Sequence, residues 1–179
     1  LVGSEMCIRD RAYRLALLKD SPRHAAVLRA AGEAAGYAPG KGLGVALHES
    51  FRSIVAEIAE VEPGAEPRVR RVACAIDCGR AVNPDQVRAQ MEGSIIFGQS
   101  AALWGRVGFA GGMVETVNLD SYRLAQLADA PAISVTILAN AGRSPGGVGE
   151  PGLPPIAPAI ANALAASGAR PRALPIVRA

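Results

Sequence analysis

The stretch Ser53-Ile54-Val55-Ala56-Glu57-Ile58-Ala59-Glu60-Val61 runs into Glu62-Pro63-Gly64-Ala65-Glu66-Pro67 and then into Arg68-Val69-Arg70-Arg71-Val72-Ala73-Cys74-Ala75-Ile76. The first piece is rich in β-branched residues and closes a longer run from Val45, of which the latter half reads as a strand. The middle piece is a proline- and glycine-bounded turn, and the third alternates basic and apolar residues as a paired strand does. Together they predict a hairpin.

Working outward, Tyr13 to Leu18 and Pro22 to Ala35 carry apolar residues at helical spacing, with Arg23, Arg29 and Glu33 on the opposite face. Ser21-Pro22 reads as a cap followed by a first-turn proline, and Gly36 as a stop. His24 then falls on a helix surface. Asn83-Pro84-Asp85 opens another helix by cap, first-turn proline and helix dipole, with an apolar face through Val87, Met91, Ile95 and Leu103. Gly93 and Gly98 inside it each cost about 1 kcal/mol against alanine, which points to a close neighbour, protein or cofactor. Arg106 to Phe109 and Met113 to Leu119 flank the turn Ala110-Gly111-Gly112, Ala132 to Ala139 reads as a further strand of the sheet, and Pro154-Pro155 opens a last helix stopped at Ser167-Gly168. Hairpin-paired strands with helices between them give an α+β class: a mixed, largely antiparallel sheet with packed helices.

The chain has 179 residues, half of them apolar, which is enough for one packed core. Nineteen basic and sixteen acidic residues leave a net charge of +3, spread along the chain with few aromatics, so a nucleic-acid partner is not expected. Three cysteines, Cys7, Cys74 and Cys78, form no disulfide framework. His24 and His48 lie far from them in sequence, and the thiols read as buried small hydrophobes. No run reaches the roughly 20 apolar residues of a spanning helix, so no membrane span is expected. The compartment stays open between cytoplasm and periplasm. Residues 1–11 have no coherent period and read as a non-native or disordered leader, leaving 12–179 as the folded part.

One segment stands apart. Gly146-Gly147-Val148-Gly149-Glu150-Pro151-Gly152 sets a carboxylate in a glycine-rich turn stiffened by proline. Read alone, it is more simply a turn with a solvated acid. A nucleotide phosphate loop is not expected, because no Gly-Lys-Ser/Thr follows and an acidic side chain repels phosphate.

The order of several stretches gives this segment a context. Gly44-Val45-Ala46-Leu47-His48-Glu49-Ser50-Phe51, Ala75-Ile76-Asp77-Cys78-Gly79-Arg80-Ala81-Val82-Asn83-Pro84, Val87-Arg88-Ala89-Gln90-Met91-Glu92-Gly93 and 146–158 together resemble the molybdenum hydroxylases of the xanthine oxidase type. The resemblance is to the C-terminal part of the molybdopterin-binding (beta) subunit of isoquinoline 1-oxidoreductase-like enzymes, and it runs from Tyr13 to about Ile176. Ala89 stands where the wider group usually has glycine, which favours that branch.

The resemblance implies a fragment of a larger molybdopterin-binding catalytic domain. In it Glu150 is the general base of an oxidative hydroxylation of an N-heterocyclic aromatic or an aldehyde, with oxygen from water. Gln90 hydrogen-bonds the pterin, and the backbone amides of Gly147, Val148 and Gly149 approach the metal's ligands. The molybdenum is held by the pterin's own sulfurs, so no protein metal ligand is expected and Cys78 stays structural. The implied cofactor is molybdopterin in its cytosine dinucleotide form. The implied partners are a small (alpha) subunit carrying [2Fe-2S] clusters, the remainder of the beta subunit and a small-molecule substrate. His48-Glu49 matches the family without a chemical task, with internal hydrogen bonding expected. The fragment by itself is expected to be inactive. The competing expectation is a self-standing binding module that uses the glycine loop without catalysis.

Overall fold

A computed structural model describes residues 11–38, 42–138 and 140–177. Apart from Arg11, the expected leader lies outside the described residues, as do Cys7 and the last residue of the strand expected over 132–139.

The predicted hairpin forms the centre of the molecule. Strand β2 (Ser53–Glu62) pairs antiparallel with β3 (Arg68–Asp77), and a bulge between Glu60 and Val61 shifts the register before the turn. The first half of the long run, left unassigned by the sequence, is strand β1 (Leu43–Ser50), paired antiparallel with β2 from Leu43↔Glu60 to Ser50↔Ser53. Its two-residue turn, Phe51-Arg52, holds both residues at positive φ, 52° and 66°. Such turns normally take Asn-Gly or Gly, so the local chemistry hid the hairpin.

Helix α1 (Pro22–Ala35) covers one side of the sheet, and helices α2 (Pro84–Leu103) and α3 (Ile156–Ala166) cover the other. Of the remaining strands, β4 (Phe109–Ala110) and β5 (Met113–Val114) form their own ribbon, and β6 (Ala132–Ile137) lies parallel beside β3. The sheet order is β1-β2-β3-β6. The α+β class and the mixed, largely antiparallel sheet stand as expected. The ribbon read around Ala110-Gly111-Gly112 forms a separate two-stranded sheet.

Strand alternation explains the layers. Ile54, Ala56, Ile58, Ala73 and Ala75 face α1, whereas Val55, Ala59, Val72, Cys74 and Ile76 face α2 and α3. Because both faces are covered, β2 is buried along nearly its whole length. Buried apolar surface contributes about 25 cal/mol per Å², so the aliphatic run that predicted a strand also supplies the core.

Helix ends follow the sequence with one exception. Asn83 accepts from the amides of Asp85 and Gln86, both at 3.1 Å, and starts α2 as read. Gly36 ends α1 in the left-handed region, at φ 58°. Ser21, however, makes no side-chain cap bond, so α1 starts on the fixed φ of Pro22.

Candidate active site

The C-terminal end of β3 is a corner onto which the segment after β6 is laced. Gly146 N donates to the Cys78 carbonyl at 2.8 Å, Arg80 N to the Arg143 carbonyl at 3.2 Å, and Arg80 Nε to the Ala141 carbonyl at 3.2 Å. Gly79, at φ 70°, lies so close under Ser144 that a side chain would overlap the Ser144 carbonyl. Beneath the corner sits Asp77, only 3 % exposed. It accepts from Arg23 Nε at 2.8 Å, Gly79 N at 2.9 Å and Asn140 Nδ2 at 3.1 Å. Burial pushes the Asp77 carboxyl upward, but these hydrogen bonds and the Arg23 charge outweigh it and hold the pKa at about 2. One carboxylate thus ties α1, β3 and the incoming loop together.

The loop then rests on the β1–β2 turn. Gly147 N donates to the Phe51 carbonyl at 2.9 Å, and Ser53 Oγ donates to the Gly147 carbonyl at 2.6 Å. A Cβ on Gly147 would lie 2.8 Å from Phe51 Cβ. Glycine at 147 is therefore required by this contact. The Gly147 amide, expected to face the cofactor, is already engaged. Val148 puts its half-buried side chain against the core, while the amides of Val148 and Gly149 have no backbone partner among the described residues.

Beyond Val148 the chain runs along α2. A Cβ on Gly149 would lie 3.8 Å from Gln90 Nε2; one on Gly152 would meet Ser94 and, at 3.1 Å, Met91 Sδ; and Gly98 is pressed against Ile156 and the Leu153 carbonyl. Gln90 and Gly149, distant in sequence, are thus neighbours on an exposed surface, and the exposed Glu150 follows Gly149 in the chain. The Glu150 carbonyl accepts from Leu153 N at 2.9 Å, closing a turn, and its carboxylate has no hydrogen bond or ion pair among the described residues. Gly93, one turn along α2 from Gln90, faces open space.

This surface offers a side-chain amide with two donors and an acceptor, two uncommitted backbone N–H groups and an uncommitted carboxylate. That donor set fits a flat heterocycle that needs both donors and acceptors, beside a glycine that lets it approach the backbone. Among the described residues, no group of three or more His, Cys, Asp or Glu side chains is placed to hold a metal ion.

Residues 47–131 match the family model described as a molybdopterin cofactor-binding domain. Through them the chain resembles that family over a little under half of its length. It is similar to the beta subunit of isoquinoline 1-oxidoreductase from Brevundimonas diminuta, at 39 % identity over 92 % of this chain and 22 % of the relative. It is also similar to a nicotinate dehydrogenase subunit of Pseudomonas putida, at 33 % identity over 92 % of this chain and 16 % of the relative. Among solved structures, quinoline 2-oxidoreductase from Pseudomonas putida 86 superimposes with a TM-score of 0.57 at 28 % identity, over 69 % of this chain and 17 % of that one. The chain spans about a fifth of the length of these proteins. The likeness to the molybdopterin-binding subunit of isoquinoline 1-oxidoreductase-like enzymes, read from the sequence, therefore stands.

The matched segment of the molybdopterin cofactor-binding domain includes Gln90 and Asp77 and ends before Glu150. Sequence reasoning missed Asp77, Phe51 and Ser53 as residues that position the loop, because their partners lie far away in the chain. It also placed His24 as a plain surface residue. His24 Nε2 lies 2.7 Å from Glu49 Oε2 in an exposed pair that links α1 to β1. Cys74 and Cys78 are buried free thiols, and burial pushes both pKa values up. Among the described residues, no helix is long and apolar enough to cross a membrane.

Proposed function

We propose that this chain is the C-terminal molybdopterin-binding portion of a molybdenum hydroxylase catalytic subunit that hydroxylates an N-heterocyclic aromatic or an aldehyde. The observation that carries the reading is the juxtaposition of Gln90 with Gly149, the residue before the exposed Glu150. The names of the similar proteins, an isoquinoline, a nicotinate and a quinoline oxidoreductase, favour the N-heterocyclic class. When bound, the cofactor, in its cytosine dinucleotide form, supplies a two-electron redox centre at which an electrophilic carbon is hydroxylated with oxygen from water.

The chain's own residues do the rest. Gln90 would hold the pterin edge through its amide, with the free Val148 and Gly149 amides available to the same group. Gly147 serves from behind, fixing the loop on Phe51. Glu150 takes the proton released in the hydroxylation. Its carboxylate is free to do so because, among the described residues, no cation neutralises it and no donor occupies its oxygens, and such assistance is worth about 10²–10⁴-fold. A small partner subunit carrying [2Fe-2S] clusters would accept the electrons, and the rest of the beta subunit would complete the substrate pocket.

The test uses the full-length protein. Glu150→Gln should keep its molybdenum by elemental analysis while turnover falls by about 10²-fold or more. Gln90→Leu should lower molybdenum content instead. Near-normal turnover in Glu150→Gln removes the base assignment, and full-length protein without molybdenum favours a non-catalytic binding module.

A further inference from the structure

Gly147 is held on both sides by the β1–β2 hairpin. Its amide donates to the Phe51 carbonyl at 2.9 Å, and its carbonyl accepts from Ser53 Oγ at 2.6 Å. The sense of the second bond is fixed, because a carbonyl oxygen only accepts and the hydroxyl must donate. Ser53 is fully buried at the start of β2, so the Gly147 carbonyl is aimed inward, at the sheet.

A trans peptide sets its C=O and its N–H on opposite sides of the chain. The peptide joining Gly147 to Val148 therefore carries the Val148 N–H away from Ser53. That N–H has no backbone partner among the described residues, and the glycines on either side of it are exposed while the Val148 side chain packs on the core. Phe51 before this peptide and the packed Val148 side chain after it hold the two Cα positions, but they leave the plane between them room to swing, since Gly147 has no Cβ to limit it. The Ser53 hydroxyl is the group that fixes the plane.

We propose that Ser53 is a positioning residue of the cofactor site, whose hydroxyl locks the Gly147–Val148 peptide so that the Val148 N–H is presented to the bound molybdopterin. The inference rests on the cofactor reading of this surface and extends it to a residue too buried to touch the cofactor itself.

The test uses the full-length protein. Ser53→Ala should lose molybdenum during dialysis about three- to tenfold faster than the wild type, as read by elemental analysis, the effect of one hydrogen bond. Val61→Ala, at the other end of β2 and in the same core, controls for lost stability and should keep its molybdenum as the wild type does. Hydrogen exchange gives a second reading: the loaded wild type should protect the Val148 amide relative to the cofactor-free protein, and Ser53→Ala should protect it much less. Ser53→Thr keeps the hydroxyl and should restore both, and Ser53→Cys, with a weaker donor, should fall between, so the order does not depend on any one variant folding. Wild-type protein without molybdenum overturns the cofactor reading and this inference with it. Loaded wild type with equal retention in Ser53→Ala, the same loss in Val61→Ala, or a Val148 amide left unprotected by loading overturns the inference alone.

Discussion

Gly147 donates its amide hydrogen to the Phe51 carbonyl at 2.9 Å, so the loop bearing Glu150 hangs from a hairpin turn made of two non-glycine residues at positive φ. Replacing Gly147 with alanine sets a methyl group against Phe51. The expected result is a loss of about 1–3 kcal/mol in chemical denaturation. Hydrogen exchange at the Gly146 and Gly147 amides should quicken in the same variant.

The turn itself stores strain. Arg52 sits at φ 66°, a region that costs a side-chain-bearing residue about 1 kcal/mol, and its side chain is exposed. Arg52→Gly should therefore raise the denaturation midpoint, by up to about 0.5 kcal/mol after the greater freedom of the unfolded chain is subtracted. A lower midpoint would show that the arginine side chain contributes more than its backbone costs.

Asp77 gives the acid limb of stability. Its folded pKa, at about 2, lies below the unfolded value, so its contribution is complete above pH 4 and disappears as pH falls through 2. Asp77→Asn should lower stability at pH 7 by about 2 kcal/mol and flatten the decline below pH 4, measured by denaturation across pH.

Glu57 acts in the opposite direction. It lies in the middle of β2, fully buried, with neither carboxylate oxygen hydrogen-bonded among the described residues, and burial pushes its pKa well up. The unfolded chain ionises this group first, so stability is greatest below the ordinary carboxylate range and falls as pH rises above it. Glu57→Met should remove that fall and stabilise the protein at pH 8 by about 1–3 kcal/mol. An unchanged pH slope would mean that the group is partnered in solution.

Two glycines of α2 separate packing from propensity. A methyl group at Gly98 would overlap Ile156, and Gly98→Ala should cost about 1–3 kcal/mol. Gly93 faces open space, and Gly93→Ala should stabilise by about 1 kcal/mol. Thermal melts of the two variants should therefore shift in opposite directions.

These residues also show what was legible in the sequence. Asn83-Pro84 announces α2 because a cap and a first-turn proline act locally, and the β2–β3 hairpin shows because its turn is rich in proline and glycine. Phe51-Arg52 gives no such sign, since its conformation is sustained by Gly147, almost a hundred positions later. The same holds for the site. Glu150 stands out by its glycine frame, and Gln90 only by family likeness. Asp77, whose partners come from α1 and the loop after β6, has no local signature.

The segment from Gly146 to Ile156 is held at both ends, by Cys78 and Phe51 at its start and by Gly98 at its finish, and it lies along α2 between them. It therefore has no slack. Substitutions that respect the glycine contacts are absorbed, but one inserted or deleted residue would carry Gly149 off its place beside Gln90, and Glu150 with it. Length, more than composition, is what natural variation in this loop is least free to change.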